Sequence, residues 1–433
     1  MYGFLTKCKA AFHELICKIL ILAGHSKGEP FTEAGKSLRR FESLTISSRA
    51  SNYGFKYCNQ KNRTHVNSKV DKIHLLIRLS VFSSIVRVFT FIFFPNGNIS
   101  LYLANIRYKS DKSDAAIFTV VLFASISCLL IREYFLIIER RNVFRYNFTI
   151  YHCLINNHLK QCKLKLFPTL VEPFYRTVTS ISILAYQLTL SATISCFTCN
   201  VLIYFFNDNF YSDNVYRIFC LLWIPAASIT FASLANSVNS VAGYLALHIT
   251  FDLYRVQSMK LWVKYLRNEH TKDTRVQSKI MSLIISCLNE YDYQSKRVRK
   301  LAFIGMFMFF MMTNLLLFIS GIVKSYSQAF QIFLIFLGSS SIIVVVCLCY
   351  ATATFLSQLN NLYHQLHLSC RYNKFNLSVS LKALEILDRV LSPHNGTTID
   401  GGLQVTKTFV VFFCLEFASV FMLLVCNLKQ KLF

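Results

Sequence analysis

Residues 405–426 read VTKTFVVFFCLEFASVFMLLVC. Wound as an α-helix, the stretch rises about 33 Å, enough to cross a bilayer. It is apolar almost throughout, with Lys407 near one end and a carboxylate, Glu416, near the middle. A charge at mid-membrane costs from about 2.5 to well over 10 kcal/mol, so it survives by facing water, a partner or a cavity. The stretch therefore predicts a membrane-crossing helix with one face that lipid does not cover.

Six more apolar blocks precede it: 73–94, ended by Pro95; 115–131, closed by Arg132 and Glu133; the uncharged run 177–206; 215–244; 301–323; and 329–355. Apolar residues make up 54% of the chain and 40 are Phe. Because they fall in long blocks, the expected fold class is all-α: a polytopic membrane protein with seven transmembrane helices. The net charge of +25 does not point to nucleic acid, because the basic residues lie between the apolar blocks. The 15 cysteines are scattered, several inside blocks (Cys196, Cys199, Cys347, Cys349), and read as buried free thiols.

At the N-terminus, the run 10–23 is interrupted by His13, Glu14 and Lys18, which excludes a secretory signal. Phe12, Leu15, Ile16, Ile19 and Leu20 fall at helical spacing and predict an amphipathic helix. Residues 24–72 are polar and basic, with no element expected. Four regions follow: an N-terminal region 1–72, a six-helix transmembrane bundle 73–355, a helical loop 356–404, and a last membrane helix with a short tail 405–433.

Local flanks set the orientation. Lys296, Arg297, Arg299 and Lys300 precede the fifth block against Lys324 after it, and Lys69 and Lys72 precede the first. The loop between the third and fourth has Asp208 and Asp213 and no Lys or Arg. The expected arrangement is a multi-pass plasma-membrane protein with its N-terminus cytosolic and its C-terminus extracellular. The sequon Asn98-Ile99-Ser100 then faces outside. Arg78 is expected to snorkel to the inner interface. Inner connections 138–175, 245–300 and 356–404 are long and helix-like, so several spans should continue into the cytosol as a helical stalk where subunits pack.

The seventh block carries Thr408-Phe409, then VVFFCL, then Glu416-Phe417, after the loop Ile399-Asp400-Gly401-Gly402. This resembles the signature of the insect gustatory receptors, within the insect chemoreceptor superfamily: Thr-Tyr, five apolar residues, Gln-Phe. Here Phe stands for Tyr, Glu for Gln, and the apolar run is six residues long. The extra residue rotates Glu416 by about 100° relative to the family's Gln. In architecture the resemblance covers residues 73 to 433. It implies a tetrameric, ligand-gated, non-selective cation channel with the N-terminus inside. The seventh span of each subunit surrounds the pore, inner helices join the subunits, and a small tastant enters from outside among spans two to six.

On that reading the pore and gate candidates are Thr408, Phe409, Phe413, Glu416 and Phe417. Two roles stay open for Glu416: a ring of carboxylates that concentrates cations, or a pairing inside its own subunit. The ligand candidates are Asn200, Tyr204, Trp223, Asn314 and Gln331, polar or amphipathic residues in the outer halves of the spans. The competing reading for each is ordinary helix–helix hydrogen bonding. The expected partners are a tastant, permeating cations, membrane lipids and related receptor subunits, with bitter compounds favoured over sugars because the signature has drifted. His364 and His367 stand alone as an i, i+3 pair. No Gly-rich phosphate loop, HExxH or GxSxG motif is present. Enzyme activity, cofactors and metals are therefore not expected. A G-protein-coupled receptor or a secondary transporter is the alternative. The former places its N-terminus outside, which an epitope tag tests, and the latter favours internal repeats or broken helices.

Overall fold

The computed structural model describes residues 30–51, 68–94, 97–105, 115–140, 164–205, 208–268, 273–322, 328–372, 375–391, 398–399 and 403–432. Among them the order is α1 (Pro30–Ser47), α2 (Ser68–Phe93), α3 (Gly97–Tyr102), α4 (Ala115–Arg140), α5 (Pro168–Phe205), α6 (Asp208–Ser212), α7 (Asn214–Asn268), α8 (Thr274–Ile322), α9 (Gln328–Tyr372), α10 (Leu377–Leu391), β1 (Thr398–Ile399), β2 (Leu403–Gln404) and α11 (Lys407–Leu432). The two short strands pair antiparallel. The amphipathic helix expected over 10–23 lies outside the described residues.

The helices α2, α4, α5 and α7 contain stretches long and apolar enough to cross a membrane, and Ile304–Leu317 of α8 is a shorter one. Their outward faces are apolar: on α2, Leu76 and Phe82 are each 63% exposed. Such a surface is a liability in water and natural in lipid. The chain is an all-α polytopic membrane protein.

The organising element is α7, with 55 residues and no break despite Pro225. At helical rise it extends about 80 Å, far beyond a bilayer. Along its length it contributes to four hydrophobic clusters. Tyr216, Cys220 and Ile224 pack at one end, which we call the far end. Leu234 meets Ile77 and Val81 of α2. Val241, Tyr244, Leu247 and Phe251 join α1, α4 and α5. Val256, Met259, Val263 and Leu266 form a stalk with α8, α9 and α10. In the stalk, Glu290 of α8 accepts hydrogen bonds from Arg255 of α7 (2.7 Å) and from Lys165, just before α5 (2.6 Å).

The structure corrects three sequence expectations. Residues 24–72 do contain structure: α1 fills 30–47 and α2 begins at Ser68. Pro30 stands at the first helical position, where its missing N–H is harmless. Ala34, Leu38, Phe41 and Thr45 fall at i, i+4, i+7 and i+11, and all four are buried. Burying Leu38 and Phe41 contributes about 2–3 kcal/mol each. Second, α4 does not stop at Arg132 but runs to Arg140. Third, Arg78 does not simply snorkel. It binds Glu133 of α4 through both Nε (3.0 Å) and a terminal nitrogen (2.6 Å). Arg132, its side chain fully buried, bonds Glu133 (2.6 Å), His74 (2.6 Å) and the carbonyl of Arg49 after α1 (3.3 Å). The charges that seemed to end a span instead tie α1, α2 and α4 together.

Gly243 explains how closely these helices approach. A Cβ there would lie 2.6 Å from the Phe41 ring and 2.9 Å from Cβ of Ala185. The methyl of Ala185 cannot swing aside, so the α5–α7 crossing requires glycine.

Candidate functional site

Two places hold the candidate residues. The first is the far end, where α3 folds over α2, α5 and α7. The α3 helix ends in a Schellman-type turn: Asn105 N–H donates to the Ser100 carbonyl (2.8 Å) and Ala104 N–H to that of Leu101 (3.0 Å). Ala104 sits in the left-handed region at φ 51°. A left-handed non-glycine residue costs about 1–2 kcal/mol. The turn points two carbonyls at Arg87 of α2. The guanidinium donates to Leu103 O (2.7 Å), Ala104 O (2.9 Å) and the Tyr204 hydroxyl (2.6 Å). It also lies 4.8 Å from the Trp223 ring centroid and 5.4 Å from that of Phe91. Trp223 Nε1 donates to Tyr102 O (3.2 Å), and the Tyr216 hydroxyl to Asn105 O (2.7 Å). The result is a cation held in an aromatic cup.

Three of the five ligand candidates belong here. Tyr204 is buried and engaged by Arg87, and Trp223 is half-buried and forms a wall of the cup. Asn200, one turn from Tyr204, donates to Ser228 Oγ (2.7 Å) and Ile224 O (3.3 Å) of α7. Asn314 stands elsewhere, on α8. It is buried and donates to Phe310 O of its own helix (3.2 Å), while its Oδ1 has no partner among the described residues. The Gln331 side chain lies outside the described residues. Arg87 is not among the ligand candidates expected from the sequence. The signal for it was a lone arginine deep in an apolar span, facing Tyr and Trp on other helices.

The second place is α11, which packs on α8 and α9 through one face. Val410 is buried, and Phe409, Phe413 and Phe417 are half-buried on that side. The Phe310 ring of α8 lies 5.1 Å from Phe413 and 5.8 Å from Phe417. Thr408, Phe412, Glu416, Ser419, Leu423 and Cys426 form another stripe, and all are exposed in the protomer. Their spacing of three or four residues places them on one flank of the helix. The five pore candidates therefore divide. Phe409, Phe413 and Phe417 pack within the protomer, while Thr408 and Glu416 stand on its free side.

No protein-family model and no curated protein matches the sequence. Solved structures do. The insect olfactory receptor OR5 from Machilis hrabei, in complex with eugenol, superposes with a TM-score of 0.60 at 12% identity, covering 92% of this chain and 99% of its own. At that identity the likeness establishes the fold: this chain has the architecture of an insect olfactory receptor.

Proposed function

We propose that the chain belongs to the insect chemoreceptor superfamily and is a ligand-gated cation channel opened by a small extracellular molecule, with a taste receptor for bitter compounds as the specific assignment. The observation that carries this reading is the two-faced packing of α11. One face is seated on α8 and α9; the other presents Thr408, Phe412, Glu416 and Ser419, which are exposed among the described residues. Around a fourfold axis, four such stripes would line a path with a carboxylate ring that attracts cations and with Phe412 as its hydrophobic constriction. This moves the gate from Phe409, Phe413 and Phe417 to Phe412, and keeps Thr408 and Glu416 in the pore.

Assembly as a tetrameric homomer or heteromer is supported by α10. Its inner face buries Val379, Ala383, Ile386 and Val390, yet Leu377, Leu381, Leu384 and Leu391 on the other side are all at least 59% exposed. Their spacing of four, three and seven residues is that of a coiled-coil seam, with Asp388 at the remaining seam position. In this reading the stalk and N-terminus are cytosolic and the C-terminus is extracellular. The ligand binds at the far end over Tyr204 and Trp223, with Asn200 beneath; Asn314, which stands apart on α8, is not part of this site. The Arg87 cup supplies a fixed cation and aromatic faces for a small amphipathic molecule. The deciding experiment is heterologous expression with G-protein signalling blocked. Inward cation current evoked by bitter compounds, alone or with a related subunit, supports the channel, and its absence while the protein reaches the cell surface contradicts it.

A further inference from the structure

Where the starts of α8 and α10 lie side by side, the stalk carries an open recess of ≈ 440 Å³. Two cations of α8, Arg275 and Lys279, line it, together with the hydroxyls of Thr274, Ser278, Ser282 and Ser378. A third cation comes from α10. Lys382 donates to Ser278 Oγ (2.8 Å) and to Ser282 Oγ (2.9 Å), which uses two of its three N–H groups. Ser282 in turn donates to the carbonyl of Ser278 (2.9 Å), which holds that hydroxyl in place.

No carboxylate lines the recess among the described residues. Asp273 is the nearest along the chain, and it caps α8 by accepting from the Arg275 backbone N–H (2.8 Å). Glu385, one turn beyond Lys382, is bound to Arg389 (2.8 Å). Among the described residues Arg275, Lys279 and Lys382 form no ion pair, whereas Arg255 and Lys165 of the same stalk share Glu290. Like charges gathered without a counter-charge repel one another, and an anion bound among them relieves this. The hydroxyls add O–H donors for acceptor oxygens, which is the chemistry that recognises phosphate. The volume is that of a small-molecule site, more than one phosphate group fills.

The position argues for a soluble ligand. The helix α8 is unbroken, and its apolar stretch begins at Ile304, so Ser278 stands about 39 Å from it at helical rise. That is several times the screening length of about 10 Å at 0.1 M salt, and out of reach of a lipid headgroup.

We propose that this recess binds a soluble molecule carrying two or more phosphate groups, with Arg275, Lys279 and Lys382 sharing its charge and the hydroxyls donating to its oxygens. The site is separate from the far-end cup and from the free stripe of α11, and its occupancy does not depend on the channel reading.

The test is calorimetric titration of inorganic triphosphate into the full-length chain in nanodiscs of neutral lipid. Saturable binding with a micromolar midpoint that weakens as salt is raised is expected. Arg275→Gln with Lys279→Gln removes two exposed cations and should weaken binding at least about tenfold. The charge-preserving pair Arg275→Lys with Lys279→Arg should stay within about threefold of wild type. Lys36→Gln with Arg39→Gln removes the same charge from the exposed side of α1 and should leave the midpoint unchanged. Wild-type heat that never saturates overturns the site, as does binding unchanged by the recess pair. A loss from the α1 pair as large as that from the recess pair also overturns it, because the attraction would then belong to the basic chain as a whole. Adding phosphatidylinositol bisphosphate to the nanodiscs should leave the midpoint where it was, and competition by that lipid would overturn the soluble ligand.

Discussion

The helices α7 and α11 are both long and apolar, and the fold uses them in opposite ways. Along its 55 residues α7 is packed into four clusters, with neighbours on most sides. By contrast α11 is seated through Val410 and three phenylalanines, and most of its other described side chains are exposed. The difference separates an element packed along its whole length from one held through a single face. An element tied at every turn holds its neighbours in place. One attached through a single aromatic face can shift or rotate for a modest loss of contact.

Truncating a ring on each helix gives the largest expected contrast. Phe251 of α7 is fully buried, and Phe251→Ala should cost about 3–5 kcal/mol. Phe412 of α11 is 65% exposed, and Phe412→Ala should change protomer stability by less than about 0.5 kcal/mol. Thermal unfolding of both variants in detergent checks this, and equal losses would break the comparison.

Adding a methyl probes the same scaffold more gently. Gly243→Ala should destabilise by about 1–3 kcal/mol, because the new Cβ meets the immobile Ala185 as well as Phe41. A neutral result in the same melt would show that the α5–α7 crossing relaxes.

A smaller effect concerns the stalk. Burial pushes the Glu290 carboxyl up, but Arg255 and Lys165 outweigh it and hold the group below its ordinary value of 4.5. A carboxylate with a lowered folded-state pKa contributes stability above its unfolded pKa and loses it as pH falls through the folded value. Glu290→Gln should cost about 1–2 kcal/mol at neutral pH, less than a fully buried pair because Glu290 is 42% exposed. That cost should shrink as the pH is lowered below about 4. Melts from pH 7 to pH 3 test the sign, and a cost that grows on acidification would contradict it.

Much of the scaffold was legible in the sequence because hydropathy over long blocks reports directly on membrane helices. The apolar blocks could be read this way, and the helical connections within 245–300 and 356–391 from their few helix breakers and the spacing of their leucines. The helix α1 escaped because its mean composition is polar; its signal is the spacing of Ala34, Leu38, Phe41 and Thr45. Arg132 and Glu133 were read as a boundary because sequence shows a charge but not its partner, here His74 and Arg78 on another helix. The candidate sites were legible in part. Tyr204, Trp223 and Asn200 do gather at the far end, but the arginine that organises them reaches them through the tertiary fold. On α11 the residue types were visible, while the facing was not. Phe409 and Phe412 look alike in sequence, and the neighbours α8 and α9 decide which one is covered.

The central claim is that the free stripe of α11 lines the ion path. Cysteine scanning of α11 tests it most directly, in a background with Cys414→Ser and Cys426→Ser, by measuring block of ligand-evoked current with a charged thiol reagent. The account predicts rapid modification and block at Thr408→Cys, Phe412→Cys, Glu416→Cys and Ser419→Cys, and slow or no modification at Phe409→Cys, Phe413→Cys and Phe417→Cys. Rapid block at the three phenylalanine positions with none along the free stripe would contradict it.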